Sequence, residues 1–365
     1  MKILKPAMVL LLAVLCWTPA AAQDRQFLRI GTGSISGIYF PVGGLIASAI
    51  SHPPGASLCG EGGSCGVPGL VAVAQASRGS VVNIRNIALG RIESALVQAD
   101  MAYFAVKGQG VFAGKAVTGL RAIANLYLEA VHVIVRQDSD IRSIRGLKGK
   151  RVSLDLKGSG TRTVATLLLK RYGIDPQTLR RRNSQVGPAV DRLRTGGIDA
   201  FFFVGGFPAP SIARLAADVP LRLLPVAGAE AAAIREADPF LTAVNIPASA
   251  YPGVPETSTL AVGAQWVISD KVSKDLVYGI TEALWHPTTR AILDQGPRVT
   301  KQMRLENALK GVAIPLHEGA SQFYREQGLI NAPAPDAKGE KPPAAKPGAP
   351  AKAKPDAAGR PDSKS

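Results

Sequence analysis

Short apolar runs alternate with glycine- and serine-rich turns along most of the chain, and amphipathic stretches follow many of these turns. The first unit shows the pattern clearly. Residues 27–30, Phe-Leu-Arg-Ile, have a short strand pattern, residues 31–37 read Gly-Thr-Gly-Ser-Ile-Ser-Gly, and residues 39–50 have helical spacing. This order predicts a strand, a polar loop and a helix, which is the opening unit of an α/β fold.

The unit recurs along the chain. Further strands are predicted near residues 70–74, 94–97, 121–126, 130–135, 152–154, 199–204, 221–226 and 259–268. Further helices are predicted at residues 81–89, from residue 98, and at residues 162–172, 190–193, 211–217 and 272–285. Alternating strands and helices favour a mostly parallel sheet in each of two lobes. Because ligands of such sheets bind beyond the carboxyl ends of the strands, we expect the glycine/serine loops to converge on one cleft.

The two ends of the chain differ from the rest. Two lysines precede an apolar run at residues 7–17, and Ala20 and Ala22 follow it. The run is shorter than the roughly 20 residues that span a bilayer. We therefore predict a signal peptide at residues 1–22 and a periplasmic location, with a retained anchor as the alternative. Residues 331–365 are mostly Ala, Pro, Lys and Asp, which predicts a disordered tail.

The chain is basic, with a formal net charge of +16. Such a charge suits an anionic ligand or an acidic partner surface. Nucleic acid is the other standard partner of a basic chain. The dispersed charges, the low aromatic content of 5% and the predicted export argue against it.

After removal of the signal peptide, Cys59 and Cys65 would be the cysteines that remain. In an oxidising compartment, a close pair in a glycine-rich segment predicts a disulfide. A metal site is the alternative, but the nearest histidine in the sequence, His52, stands beside two prolines. We expect neither a metal nor another cofactor.

Two loops carry the residues that can bind an anion. The first contains Thr32, Gly33, Ser34, Gly37 and Tyr39, and the second contains Ser159, Gly160 and Thr161. Hydroxyls and free backbone amides at a helix N-terminus attract negative charge, so two facing loops can hold a carboxylate. The alternative for each loop is a helix cap followed by a turn.

Three charged residues lie next to these predicted loops and strand ends. Arg162 can pair with a ligand carboxylate or remain a solvated helix residue. Glu129 and Asp100 can accept from a ligand amine, cap helices or pair with surface arginines.

The sequence contains none of the following catalytic motifs in complete form. The first glycine loop, together with Tyr103 and Lys107, resembles part of a short-chain dehydrogenase. However, Tyr39 replaces the last loop glycine, and the Tyr–Lys pair follows too soon. The four histidines lack metal-ligand spacing, and neither a Gly-x-Ser-x-Gly elbow nor a phosphate-binding loop occurs. We therefore expect a binding protein rather than an enzyme.

The ordered set of loops resembles the TAXI solute-binding receptors of tripartite ATP-independent periplasmic (TRAP) transporters. The resemblance rests on Ile30-Gly31-Thr32-Gly33, Gly37-Ile38-Tyr39, Ser77-Arg78-Gly79-Ser80-Val81-Val82-Asn83, Val97-Gln98-Ala99-Asp100, Leu126-Tyr127-Leu128-Glu129, Gly146-Leu147-Lys148-Gly149-Lys150-Arg151-Val152, Gly158-Ser159-Gly160-Thr161, Gly206-Phe207-Pro208 and Pro315-Leu316-His317-Glu318-Gly319-Ala320. It spans residues 27–328, whereas the stretch 52–68 and the tail depart from the family pattern.

The resemblance implies an α/β periplasmic-binding-protein-like fold (type II), with two lobes that are joined by crossing strands and close on a ligand. Lobe one would comprise residues 27–128 and 262–330, and lobe two residues 129–261. The implied partners are a glutamate- or glutamine-like amino acid or another small carboxylate, and the membrane permease of a TRAP transporter. A membrane sensor is the alternative to the permease, and we expect a monomer. The candidate ligand-binding residues are Thr32, Gly33, Ser34, Gly37, Tyr39, Ser80, Asn83, Gln98, Asp100, Glu129, Ser159, Gly160, Thr161, Arg162 and Phe207.

Overall fold

The computed structural model describes residues 25–59 and 65–331. The predicted signal peptide at residues 1–22, and the predicted tail at residues 331–365 apart from its first residue, lie outside the described residues. Among the described residues, none of the helices is both long enough and apolar enough to cross a membrane.

Strands and helices alternate along the described chain. The strands are β1 (Gln26–Gly31), β2 (Ser51–His52), β3 (Val67–Pro68), β4 (Leu70–Gln75), β5 (Ser94–Gln98), β6 (Leu120–Arg136), β7 (Arg151–Ser153), β8 (Arg180–Arg181), β9 (Ala200–Gly205), β10 (Leu221–Leu223), β11 (Thr242–Ile246) and β12 (Thr257–Ser269). The α-helices are α1 (Tyr39–Ile50), α2 (Ser80–Ala88), α3 (Ala99–Lys107), α4 (Gly160–Arg171), α5 (Val186–Arg194), α6 (Pro210–Asp218), α7 (Gly228–Ala237), α8 (Lys274–Trp285), α9 (Thr289–Leu293) and α10 (Glu318–Glu326).

The main sheet has the strand order β4-β1-β5-β12-β6-β9-β7-β8, with β10 beside β6 and β11 beside β12. The first half of the sheet is parallel, because β1 pairs with both β4 and β5 in that sense. The other half is parallel around β7, which lies between β8 and β9. The long strands β6 and β12 run antiparallel to each other between the two halves. This arrangement confirms the predicted α/β class with two halves joined by crossing strands.

The crossing strand β6 corrects one prediction. Residues 121–126 and 130–135 were expected to form two consecutive strands, but β6 is continuous over 17 residues. The intervening residues stay extended because β12 pairs with them: Gly263 lies opposite Leu128, and Val262 lies opposite Glu129.

The predicted strand at residues 221–226 is also shorter in the structure and ends at Leu223. The chain then turns away, and Val226 donates its backbone N–H to Ser258 at 3.1 Å.

The core forms where helices cover the sheet. In α1, Val42, Ile46 and Ile50 recur every four residues and are fully buried, as expected for one face of an amphipathic helix. Trp266 of β12 is also fully buried, in the same apolar cluster as these α1 residues. This packing fixes the strand ends from which the cleft loops project.

The structure joins Cys59 to Cys65 by a disulfide, with the Cα atoms 4.7 Å apart. The expectation that no usable histidine lies nearby is wrong in three dimensions. The loop after α8 brings a nitrogen of His286 within 4.8 Å of both sulfurs, although the residues are far apart in the sequence. As long as the sulfurs are bonded to each other, they do not serve as thiolate ligands.

Candidate functional site

A cavity of about 60 Å³ lies between the two halves of the sheet. Loops after β1, β4 and β7 contribute to its wall, as do the carboxyl ends of β5 and β9. The N-termini of α1, α2, α4 and α5 border the same space. The loops therefore converge at the strand ends, where an α/β sheet binds its ligands.

Most of the candidate residues line this cavity. They are Gly33, Ser34, Gly37, Tyr39, Ser80, Gln98, Glu129, Ser159, Gly160 and Thr161. The structure thus brings together both glycine/serine loops and Glu129 from the crossing strand. Their role as ligand contacts remains a prediction.

Thr32 and Asn83 lie behind the cavity wall and hold the loops in place. The Thr32 hydroxyl donates to the Gln75 carbonyl oxygen at 2.7 Å. The Asn83 amide donates to the carbonyl oxygens of Thr32 at 2.7 Å and Leu96 at 2.9 Å. Both residues are fully buried, so they position the ends of β1, β4 and β5 and do not face the cavity.

Asp100 is also outside the cavity wall. It lies in the first turn of α3, where its carboxyl accepts the backbone N–H of Met101 at 2.7 Å. Burial, together with the nearby Asp238, raises the pKa of this carboxyl to about 7.

The last two candidates are Arg162 and Phe207, and neither borders the cavity. Arg162 lies on the outer side of α4, where it lines a separate groove with Lys157 and Thr166. Phe207 packs against the main apolar cluster, with its ring centroid 6.5 Å from that of His132.

Sequence reasoning did not select several residues that do line the cavity, notably Arg78, Asp155 and Gln185. Arg78 belongs to the Ser-Arg-Gly-Ser turn, so its position in that motif was the available signal. Asp155 lies two residues beyond the end of β7 and, among the described residues, is the non-glycine residue with a positive φ, at 69°. Burial raises its pKa to about 6. Such a backbone conformation is uncommon and clusters at functional sites.

Glu129 and Tyr39 form a buried polar pair in the cavity wall. The Tyr39 hydroxyl donates to Glu129 Oε2 at 2.6 Å. Burial raises the pKa of the Glu129 carboxyl to about 8, against the opposing effect of the Tyr39 hydrogen bond. Burial likewise raises the pKa of Tyr39 well above its ordinary value. Glu129 is therefore largely protonated at neutral pH, and a cation placed beside it would favour its ionised form.

Gln98 adds a second acceptor. Gln98 is buried, and its Oε1 atom has no hydrogen-bond partner within the described chain. A Cβ atom added to Gly160 would lie 2.0 Å from this oxygen, so only glycine allows α4 to approach it. Because an unpaired buried oxygen is costly, this atom is suited to receive a donor from a ligand.

Hydroxyl donors surround the start of α2 and α4. Ser159 Oγ accepts the backbone N–H of Arg162 at 3.0 Å. Thr161 Oγ1 accepts that of Val204 at 3.1 Å, and Ser80 Oγ accepts that of Gln98 at 3.1 Å. A hydroxyl that accepts from the backbone still has its own hydrogen to donate. Together with the positive ends of the helix dipoles, these groups form a wall that favours an anion.

The two halves touch across the cleft. The backbone N–H of Val82 donates to the Gly158 carbonyl oxygen at 3.1 Å, and the Gln185 side chain donates to the Ser77 carbonyl oxygen at 3.0 Å. Gly79 and Ser159 meet in the same seam, since a Cβ at Gly79 would lie 3.5 Å from the Ser159 Cα. These contacts join the two halves over the cavity, so they would break if the halves moved apart.

Two halves of an α/β sheet, joined by crossing strands around a closed cleft, define a periplasmic-binding-protein-like protein. The profile of the NMT1-like family matches residues 30–328. The chain therefore belongs to the NMT1-like family.

Three solved structures illustrate the structural likeness. The alkanesulfonate-binding protein SsuA from Xanthomonas axonopodis pv. citri, bound to MOPS, is 14% identical with a TM-score of 0.43, over 85% of this chain and 96% of that one. A putative periplasmic sulfonate-binding SsuA from Methylobacillus flagellatus KT is 14% identical with a TM-score of 0.45, over 87% and 99%. A binding-protein component of an ABC phosphonate transporter from Pseudomonas aeruginosa is 12% identical with a TM-score of 0.46, over 77% and 80%.

Proposed function

We propose that this protein is a periplasmic solute-binding receptor for a small carboxylate that also carries an amine, in the manner of a glutamate- or glutamine-like amino acid. The observation that carries the proposal is that one cavity wall holds both kinds of group. Helix N-termini and hydroxyls supply hydrogen-bond donors, and Glu129 and Gln98 supply buried acceptors.

The ligand carboxylate would bind at the start of α4 and α2, where Ser159, Thr161 and Ser80 supply hydroxyls beside free backbone amides. Arg78 lines the same cavity and adds a positive charge. Anions at helix N-termini are stabilised both by the backbone donors and by the helix dipole.

The ligand amine would bind beside Glu129. A carboxyl that is held protonated by burial ionises when a cation takes a position next to it, and the resulting charged hydrogen bond is stronger than a neutral one. A dicarboxylate without an amine leaves Glu129 protonated and unpaired with the ligand, so we expect it to bind more weakly.

Capture would close the two lobes about β6 and β12, with lobe one formed by residues 27–128 and 262–330 and lobe two by residues 129–261. The Val82–Gly158 and Gln185–Ser77 hydrogen bonds would form on closure. Ligand binding drives such a hinge motion only through its higher affinity for the closed state.

The resemblance to TAXI receptors supports delivery of the ligand to a TRAP permease. The predicted signal peptide at residues 1–22 supports export to the periplasm. Uptake of labelled ligand by vesicles that contain the candidate permease tests delivery. Ligand-dependent activation of a membrane sensor without uptake would favour the sensing alternative.

The ligand is tested by thermal shift and calorimetry on the monomeric protein after unfolding and refolding, which removes carried ligand. Glutamate against glutarate isolates the amine, and β-alanine against taurine compares a carboxylate with a sulfonate. A ligand that binds only the folded state raises the melting temperature by mass action. We expect glutamate to exceed glutarate. Equal melting-temperature shifts with glutamate and glutarate would contradict the amine contact. A shift with taurine and none with β-alanine would indicate that the ligand is a sulfonate. If NMR shows that the protein converts a bound compound into a product, the protein is an enzyme and not a receptor.

A further inference from the structure

A second cavity, of about 510 Å³, lies against the crossing strands and is separate from the cleft. Its wall comes from Ala99 at the start of α3, from residues 125–128 of β6, from Gly263 of β12, from residues 239–242 around the start of β11, and from parts of residues 302–313. None of these wall residues borders the cleft cavity.

We name the space lined by these residues the hinge cavity. Its wall is largely apolar. Leu126, Leu128, Phe240 and Val312 are its larger aliphatic and phenyl side chains, and Lys310 is its charged one. A concave apolar space with few polar groups is typical of small-molecule sites, in which the polar groups fix the orientation of the ligand.

Two polar side chains of this wall, Asn125 and Tyr127, each have a buried polar atom without a hydrogen-bond partner among the described residues. Asn125 is 6% exposed, and its Oδ1 atom accepts no hydrogen bond within the described chain. Its amide nitrogen donates only over a long distance, 3.4 Å, to the Asn307 carbonyl oxygen. Because a buried amide oxygen without a donor is unfavourable, a ligand that brings an N–H or O–H to this wall gains a hydrogen bond that the protein does not make alone.

The backbone around Asn125 is irregular at the same point. Tyr127 lies opposite Ala264 and Asn125 lies opposite Gln265, so Leu126 is an extra residue in β6. Such bulges redirect side chains and are frequent beside binding sites.

Gly263 forms part of the same wall. A Cβ atom at this position would lie 2.6 Å from Asn125 Oδ1 and would crowd that oxygen. Glycine therefore leaves space beside the unpaired acceptor.

We propose that the hinge cavity is a second ligand site, for a small, mainly apolar molecule that donates one N–H or O–H hydrogen bond to Asn125. This site is independent of the carboxylate cleft and of the ligand that the cleft takes.

The test uses indole and 1-methylindole, which share an apolar body but differ in the N–H donor. Their affinities for the full exported chain are measured by calorimetry and by NMR titration. We expect indole to bind at least about tenfold more tightly, because a site with an unpaired polar group discriminates against a ligand that lacks the matching donor. Asn125→Leu should abolish this preference, whereas the matched control Asn245→Leu, at an exposed asparagine of β11 outside the cavity, should keep it.

A second variant tests occupancy without touching a buried residue. Ala313 is exposed at the cavity wall, so Ala313→Trp should block both compounds and leave the protein folded. Equal affinities of the two indoles for the native chain would overturn the proposal. So would a preference that survives Asn125→Leu, or displacement of indole by a ligand of the cleft.

Discussion

Val82 and Gly158 join the two halves of the molecule by a backbone hydrogen bond of 3.1 Å across the mouth of the cleft. At this seam the fit leaves no room for larger residues. A side chain at Gly158 would meet Val82 at 2.6 Å, and a side chain at Gly160 would meet Gln98 at 2.0 Å. The closed arrangement therefore depends on Gly158 and Gly160.

Gly160→Ala should hold the cleft partly open. Gly160 has no positive φ, so alanine is compatible with the backbone, and the added methyl group opposes the approach of Gln98 and Ser80 from the other half. We expect the affinity for the cleft ligand to fall by about tenfold or more, because the competent closed state becomes less populated. Calorimetry measures the affinity, and small-angle X-ray scattering should show a larger radius of gyration with ligand present.

Gly44→Ala is the matched control for this experiment. Gly44 lies within α1, where nothing is within 4 Å of an added Cβ. Helix propensity favours alanine there, so stability should rise slightly and affinity should not change. If the Gly160→Ala and Gly44→Ala variants have the same ligand affinity and the same radius of gyration with ligand, the contact between Gly160 and Gln98 does not control binding.

The affinity for an amine-bearing ligand should rise with pH between about 6 and 8. Burial raises the pKa of the free Glu129 carboxyl to about 8, so binding of an ammonium group below this pH must release a proton. The affinity then increases by up to about tenfold per pH unit, which calorimetry in buffers of different ionisation enthalpy detects as proton release. Glu129→Gln should flatten this dependence and weaken binding. A native affinity that is constant over this range would contradict the amine contact.

Local pattern predicted those parts of the fold that depend on neighbouring residues. The helix at residues 39–50 has its predicted bounds because a glycine turn precedes it and its apolar positions share one face. The continuous strand β6 was not predicted, because its partner β12 follows more than a hundred residues later in the sequence and fixes the extended conformation of residues 127–129.

The candidate site divides in the same way. Ser159 and Thr161 could be chosen because they stand in a glycine turn before a helix. Glu129 was a candidate with several open roles, and its contact with Tyr39 across 90 residues became evident only from the structure. Gln185 had no local signal, since it reaches the cleft only because α5 begins beside the opposite loop.

The free protein should lose stability as pH rises from about 5 to 8. Burial raises the folded-state pKa of Asp155 to about 6, of Asp100 to about 7 and of Glu129 to about 8, above their unfolded values near 4. Between these limits unfolding releases a proton from each group. The free energy of unfolding therefore falls, by up to about 1.4 kcal/mol per pH unit and group.

Denaturant unfolding at a series of pH values measures this slope. The paired carboxyls Glu93 and Asp199 have lowered pKa values, so their contribution is complete above about pH 4 and does not change over the tested range. Glu129→Gln should reduce the slope most between pH 7 and 8, whereas Asp100→Asn should reduce it at and below pH 7. Burial lowers the pKa of His132 to about 4 and also lowers that of His317, so these two groups oppose the fall below about pH 6.5. Stability that does not fall between pH 6.5 and 8 would therefore contradict a protonated Glu129 in the folded protein.

The double variant Ser159→Ala with Thr161→Val tests the anion wall that α4 provides. Loss of the Ser159 cap should cost about 1 kcal/mol, and loss of the Thr161 oxygen leaves the Val204 N–H without its partner at a cost of about 1–3 kcal/mol. The variant should therefore be less stable but folded, and its affinity for the cleft ligand should fall by about tenfold or more because both ligand donors are absent.

Ser273→Ala is the matched control, since Ser273 caps α8 by accepting from Leu276 at 3.4 Å and lies outside the cleft wall. Denaturant unfolding and calorimetry on both variants separate the two effects. An unchanged affinity in the double variant would remove α4 from the binding site, whereas a loss of affinity in Ser273→Ala as well would mean that stability alone limits binding.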